Sequence, residues 1–239
     1  TIDGYYAENN TLVEMEYPAI ENYTDYEFRD VAYCPTASFA LVVGDAYDNV
    51  LGKRVGVVYR YDNDIFSPLT IDTSNYSDCY LESVAFNPQN GNALIVGYGY
   101  DNNSVCVVFE YNATTDTIVE LAVNTSMYTY SVFHDVAFAS NDSALLVGYG
   151  DSDGDGYYEG IAYMYNGTDL IKLDVDTSYY TDAEFYAVDF NATSTALLVG
   201  YAYRINNDMT DYYALVYTYD FSTFTDLSVG YGDSYIMLF

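Results

Sequence analysis

Ala144-Leu145-Leu146-Val147-Gly148-Tyr149-Gly150 is the phrase on which the fold turns, because the chain writes it four times. It recurs as Ala40-Leu41-Val42-Val43-Gly44, as Ala93-Leu94-Ile95-Val96-Gly97-Tyr98-Gly99 and as Ala196-Leu197-Leu198-Val199-Gly200-Tyr201, at spacings of 53, 51 and 52 residues. A second phrase runs about ten residues ahead of each: Asp30-Val31-Ala32-Tyr33, Ser83-Val84-Ala85-Phe86, Asp135-Val136-Ala137-Phe138 and Ala187-Val188-Asp189-Phe190. A self-similar period near fifty marks a repeat architecture.

Each period divides into four short strands. The Val-Ala-Phe phrase is the first and the Leu-Val-Gly run the second. The third covers 56–61, 105–111, 160–165 and 214–219; the fourth covers 68–72, 117–123, 170–176 and 224–229. The second strand is apolar at successive positions, which requires cover on both faces. The fourth alternates: Leu170, Leu173 and Val175 stand among Lys172, Asp174 and Asp176. Asp62-Asn63-Asp64, Asn112-Ala113-Thr114 and Asn166-Gly167-Thr168 join third to fourth strands with residues that tolerate a left-handed backbone. No useful length of helical periodicity is present.

Four-stranded units with buried inner strands predict an all-β, β-propeller-like repeat. The cycle Val-Ala-Phe, Ala-Leu-Leu-Val-Gly, Gly-x-x-Tyr-x-Tyr-Asn-Gly-Thr, Leu-x-x-Leu resembles the blades of kelch-like and BNR-repeat propellers, over nearly the whole chain. That resemblance implies a fold, not a function. The expected division is one repeat domain: a half-blade at 1–28, full blades at 29–81, 82–133, 134–185 and 186–230, and a tail at 231–239. The half-blade matches a third-plus-fourth strand pair, with Asn9 in the place of Asn166. Residues 230–239 can supply at most one strand, 235–239. Three outcomes follow: a ring closed with an incomplete fifth blade, a fragment of a longer propeller, or a half-blade that takes strands from a neighbour. An open stack of units is a further outcome.

The net charge of −30 repels nucleic acid and anionic lipid, so neither is an expected partner. Hydrophobic content of 51% rules out a disordered acidic tail. The 32 Tyr suit half-exposed strands. No apolar run reaches the roughly 20 residues that span a bilayer, so direct insertion is not expected. The chain begins at Thr1 rather than Met, as a processed or excised form would. Nine N-x-S/T triplets begin at Asn9, Asn22, Asn75, Asn102, Asn112, Asn124, Asn141, Asn166 and Asn191. Chance at this composition gives about three. All nine fall in expected turns, so the reading is a glycoprotein displayed outside the cell. Cys106 takes a place held by Gly56, Gly160 and Ala214 and reads as a small strand residue; Cys34 and Cys79 are the one candidate disulfide pair.

The candidate metal site is Asp151-Ser152-Asp153-Gly154-Asp155-Gly156-Tyr157-Tyr158-Glu159. Oxygens of Asp151, Asp153, Asp155 and Glu159, with the carbonyl of Tyr157, can wrap Ca²⁺, and Gly156 allows the sharp turn. The loop resembles the calcium loops of FG-GAP propeller repeats, with Glu159 for the final Asp. His134 aligns with Arg29, Glu82 and Tyr186 and reads as a surface histidine, not a base. The arginines stand at non-equivalent positions, unlike the cluster that holds the substrate carboxylate in sialidases. No catalytic residue is assigned. The expectation is a non-enzymatic structural or adhesive surface protein, self-associating into a filament, sheath or surface layer, or binding other surface proteins and glycans. Its composition resembles that of archaeal envelope proteins. The alternatives are a ligand- or carbohydrate-binding propeller module and, behind it, a secreted carbohydrate-active enzyme with a facing carboxylate pair.

Overall fold

The computed structural model describes residues 2–6, 11–15, 17–206 and 209–231. Asn9 and most of the tail lie outside these. Among the described residues every regular element is a β-strand. Strands β1 (Ile2–Tyr6) and β2 (Thr11–Met15) pair with each other. Sheet one follows with β3 (Tyr23–Tyr33), β4 (Phe39–Asp48), β5 (Lys53–Asp62) and β6 (Ile65–Leu69). Sheet two holds β7 (Asp78–Phe86), β8 (Ala93–Asp101), β9 (Asn103–Asn112) and β10 (Thr117–Glu120). Sheet three holds β11 (Tyr130–Phe138), β12 (Ala144–Asp151), β13 (Glu159–Tyr165) and β14 (Leu170–Leu173). Sheet four holds β15 (Asp182–Phe190), β16 (Ala196–Asn206), β17 (Met209–Tyr219), β18 (Phe224–Asp226) and β19 (Val229–Tyr231), the last also paired with β17. Every sheet is an antiparallel meander in chain order. The strand that opens each sheet starts several residues ahead of the Val-Ala-Phe phrase, so unit edges at 29, 82, 134 and 186 fall inside β3, β7, β11 and β15.

The glycine of each Leu-Val-Gly run has a specific cause. The first two strands of each of sheets one to four slip by one residue, between Phe28 and Asp30, Leu81 and Ser83, Phe133 and Asp135, and Phe185 and Ala187. This β-bulge pushes a backbone carbonyl over the neighbouring strand. A Cβ on Gly44, Gly97, Gly148 or Gly200 would stand 1.9–2.0 Å from the carbonyl oxygen of Glu27, Tyr80, Val132 or Glu184. No side chain fits there, so the glycine and the bulge specify one another.

The sheets pack face to face in succession, through one repeated joint. On one side are two alternate residues of the second strand; on the other is an aromatic-rich face of the next sheet. Leu41 and Val43 pack on Leu81, Val84, Phe109 and Tyr111. Leu94 and Val96 pack on Phe133, Val136, Tyr163 and Tyr165. Leu145 and Val147 pack on Phe185, Val188, Tyr217 and Tyr219. A knob from the following sheet enters a hole in the preceding third strand: Leu81 against Gly56 and Phe185 against Gly160, with ideal-Cβ approaches of 3.0 and 2.6 Å. Phe133 meets Cys106 in the middle joint. The receiving face of sheet one, with Val42, Val57, Tyr59 and Phe66, is covered by Tyr17, Ile20, Tyr23 and Tyr26. Tyr59 donates its hydroxyl to the Pro18 carbonyl at 2.8 Å.

The fourth sheet breaks the pattern. Leu145 and Val147 are 0% exposed, whereas their equivalents Leu197 and Val199 are 47% and 38% exposed. Cover on both faces therefore holds for β4, β8 and β12 but not for β16.

Substituting Gly148 with Ala forces Val132 and the bulge to move, and should cost about 3 kcal/mol or more, read from the denaturant midpoint. A loss under about 0.5 kcal/mol would contradict the carbonyl contact.

Candidate functional site

The residue that each bulge adds is Arg29, Glu82, His134 or Tyr186, and the four meet along one line where the opening strands converge. Arg29 Nε lies 3.6 Å from Glu82 Oε1. The His134 ring lies 5.3 Å from those of Tyr186 and Tyr149. His134 is thus half-buried between sheets, which corrects its reading as a surface histidine. Burial, with Arg29 adding its positive charge, pushes the His134 pKa down to about 4. Burial likewise raises Glu82, against the pull of Arg29. Arg29 and Arg54 share the fully buried Asp45: Arg29 Nε donates to Oδ1 at 3.1 Å and Arg54 Nε to Oδ2. Where the other joints carry Tyr98 and Tyr149, this one carries a neutralised carboxylate. Burial of Arg29 works against its charge, yet Glu82, Asp45 and Glu27 together raise its pKa.

One position further on, a polar chain ties the sheets together. Asp30 Oδ2 accepts from Val84 N at 2.8 Å and from Ser83 Oγ at 3.0 Å. Ser83 Oγ also lies 2.7 Å from Asp135 Oδ1, and Asp135 Oδ2 accepts from Val188 N at 2.7 Å. Four sheets are thereby linked through two carboxylates and one hydroxyl. A hydroxyl carries one proton, so Ser83 donates to one carboxylate at a time. Burial raises the Asp135 pKa, opposed by its bonds to Val188, Ser83 and Val136. A proton on Asp135 would let it donate to Ser83 while Ser83 donates to Asp30.

The acidic loop lies between β12 and β13. Asp151, Asp153 and Asp155 each bring a carboxylate oxygen to within 4.8 Å of the others. Backbone amides shape it: Gly154 N and Gly156 N donate to Asp151 at 2.6 and 3.2 Å, and Tyr157 N donates to Asp155 at 2.9 Å. Gly154 and Gly156 have φ of 80° and 85°, which favours glycine. Asp151 is buried while Asp153 and Asp155 are exposed. Glu159 lies outside this group. Its residue pairs with Gly150 on the ladder, and its Oε1 is a buried atom with no hydrogen-bond partner. It faces both the loop and a second hollow beside Tyr128, Lys172 and Asp174. Tyr157 is exposed, with its ring 6.5 Å from that of Tyr203.

Of the sequon asparagines among the described residues, Asn22, Asn75, Asn102, Asn124, Asn141, Asn166 and Asn191 are exposed and Asn112 is half-buried. Several shape their own turns: Asn166 Oδ1 accepts from Thr168 N and Asp169 N, and Asn191 Oδ1 from Thr193 N and Thr195 N. Cys34 and Cys79 are free thiols, correcting the proposed bridge. They sit at opposite ends of their strands. Cys34 follows β3 and lies beside the Gly91 turn, while Cys79 opens β7 opposite Gly99. Burial pushes the Cys79 thiol up to about 12.

No protein-family model matches the chain, and no curated protein matches it.

As pH falls, the unfolded chain protonates its histidine near pH 6.5 and the folded one only near 4. Stability should therefore decline across that window, and His134→Gln should remove that component. The His134 ring signals in a titration by NMR should stay neutral down to about pH 5. Protonation at the ordinary value would contradict the buried placement.

Proposed function

We propose that this protein is a non-enzymatic structural or adhesive subunit, displayed outside the cell with glycans on its turns, and built as a propeller-like array. The observation that carries the reading is the pairing of β1 with β2, which form a two-stranded sheet of their own, ahead in the chain of sheets with four strands or more. A two-stranded hairpin is marginal by itself and its edges are templates for further pairing. Addition to a neighbouring copy is head-to-tail, which extends into polymers when the rotation does not close.

The polar groups between the sheets support the same reading. Asp30, Ser83, Asp135, Asp45, Arg29 and Arg54 all bond across or within the joints. They hold the stack together. The acidic loop is the proposed Ca²⁺ site, with Asp151, Asp153 and Asp155 as its carboxylates. The cation would relieve the repulsion among three carboxylates, two of them exposed. A second reading, a ligand- or carbohydrate-binding module, is favoured by one observation. Half-exposed Tyr98, Tyr149 and Tyr201 and the exposed Tyr186 recur beside Glu82 and Glu184 around the bulge line. Such rings stack on sugars.

Electron microscopy and intact mass of native material test the proposal. Ordered polymers and added glycan mass on the sequons are expected. Monodisperse, unglycosylated particles that bind a glycan array would favour the second reading instead. Calcium should raise the unfolding midpoint in proportion to RT ln(1 + [L]/Kd), and Asp153→Asn with Asp155→Asn should abolish that rise. An unchanged calcium response in the double variant would remove the metal assignment.

A further inference from the structure

Five residues ahead of each knob stands a tyrosine: Tyr76 before Leu81, Tyr128 before Phe133 and Tyr180 before Phe185. Each closes the same turn, its N donating to the carbonyl of Thr73, Thr125 or Thr177. The column one residue before Leu121, Leu173 and Leu227 holds Glu120, Lys172 and Asp226. In sheets two and four the tyrosine and the carboxylate are partners. Tyr76 donates its hydroxyl to Glu120, and Tyr180 donates its own to Asp226 Oδ2 at 3.1 Å. In sheet three Lys172 replaces the carboxylate, and its Nζ lies 5.2 Å from the centre of the Tyr128 ring. Tyr128 is 9% exposed, and its hydroxyl has no hydrogen-bond partner among the described residues.

A second departure in sheet three lines the same space. The residue ahead of the hole in each third strand is Val55, Val105, Glu159 or Tyr213. Glu159 is the one acid of that column, and its Oε1 is buried with no hydrogen-bond partner among the described residues. Tyr128, Glu159, Lys172 and Asp174 line a hollow of about 140 Å³, with Leu173 and Val175 as apolar wall. That is well above the share of a single water, roughly 30 Å³. The hollow shares Lys172, Leu173, Asp174 and Asp176 with an outer groove of about 950 Å³, which Tyr179 and Phe224 also line. The groove is of the size of small-molecule sites, roughly 300–1,000 Å³.

The two unpartnered atoms define the guest. Glu159 Oε1 accepts, so the guest donates there. Burial raises the Tyr128 pKa, so its hydroxyl keeps its proton and donates to the guest. A guest hydroxyl both donates and accepts, and so answers either atom. Asp174 and Asp176 on the wall repel an anion. Lys172 already holds the cation position at the Tyr128 ring. We propose that this hollow is a binding site for a neutral sugar unit, whose hydroxyls accept from the Tyr128 hydroxyl and donate to Glu159 Oε1, while the outer groove takes the next units of the glycan beside Tyr179 and Phe224. Among sheets two to four the site is built in sheet three alone, where the tyrosine has lost its carboxylate and an acid enters the same hollow. It uses none of the rings of the bulge line.

The test is ligand-observed NMR on the full chain in the presence of a chelator, so that the calcium assignment plays no part. The probes are methyl α-mannoside, methyl β-galactoside and N-acetylglucosamine, with glucuronate and glucosamine as charged controls. At least one neutral sugar should show saturation transfer, and glucuronate should show none. Tyr128→Phe should weaken binding about three- to tenfold and Glu159→Gln about ten- to a hundredfold, as loss of a neutral and of a charged hydrogen bond. Lys172→Gln offers an amide oxygen to Tyr128 and an amide N–H to Glu159. It should abolish binding without lowering the unfolding midpoint. No transfer to any neutral sugar would mean a hollow that holds water only, and would overturn the proposal. Binding that the three variants leave unchanged, or binding of glucosamine alone, would overturn it too. A lowered midpoint for Lys172→Gln would show that Lys172 itself neutralises Glu159, with the same consequence. Polymer growth and glycan mass are not read here, so failure is distinct from failure of the proposed function.

Discussion

The contact between a bulged carbonyl and a bare glycine is the constraint from which the structure follows. Glu27, Tyr80, Val132 and Glu184 each place a carbonyl oxygen where a Cβ on Gly44, Gly97, Gly148 or Gly200 would stand. The bulge rotates the opening strand by one residue relative to its neighbour. That rotation brings Arg29, Glu82, His134 and Tyr186 together along one line. It also leaves Asp30, Ser83 and Asp135 placed to bond across sheets. Without the slip, the side chains of the opening strand would alternate simply, and Asp30, Ser83 and Asp135 would shift out of register with the neighbouring sheets.

Two kinds of interaction then share the work. The joints bury apolar and aromatic area, at about 25 cal/mol per Å², which makes them the main source of stability. The polar chain from Asp30 through Ser83 and Asp135 to Val188 contributes less net free energy per bond, on the order of 1 kcal/mol. Its larger effect is on specificity. A partner removed from it leaves a buried carboxylate or amide unpaired, at a cost of about 1–3 kcal/mol. Sheets that slid past one another would meet that penalty. The first joint adds Asp45 between two arginines, a buried charge that is tolerable only because both partners reach it.

Much of this was legible in the sequence. The period, the four-stranded units and the all-strand makeup of the described residues follow from Leu-Val-Gly and Val-Ala-Phe recurring at one spacing. The three aspartates of the acidic loop do converge. What the sequence hid has physical reasons. The bulge is invisible because adding a residue to one strand leaves the spacing of the period unchanged; only the invariable glycine opposite it gives a signal. His134 looked like a surface residue because its column holds Arg, Glu, His and Tyr. Such variety also arises where four unlike side chains meet one another. Leu197 and Val199 read the same as Leu145 and Val147, since a repeat records what a face is built to meet, not whether the neighbour is there. Cys34 and Cys79 both sit near strand ends, but linear position does not say which end. Glu159 is held on the β13 ladder opposite Gly150 and lines the same hollow as Asp153 and Asp155, while the three aspartates alone bring their oxygens within 4.8 Å of one another.

Residue-resolved hydrogen exchange at the Val84 and Val188 amides tests the central claim most directly. These two N–H groups are the ones that Asp30 and Asp135 accept from across the sheets. If the bulged strands are locked together by these bonds, both amides should exchange only on global unfolding, among the slowest in the protein. Exchange as fast as that of the turns, with the amides of β8 and β16 still protected, would show sheets that form separately and are not joined by these carboxylates.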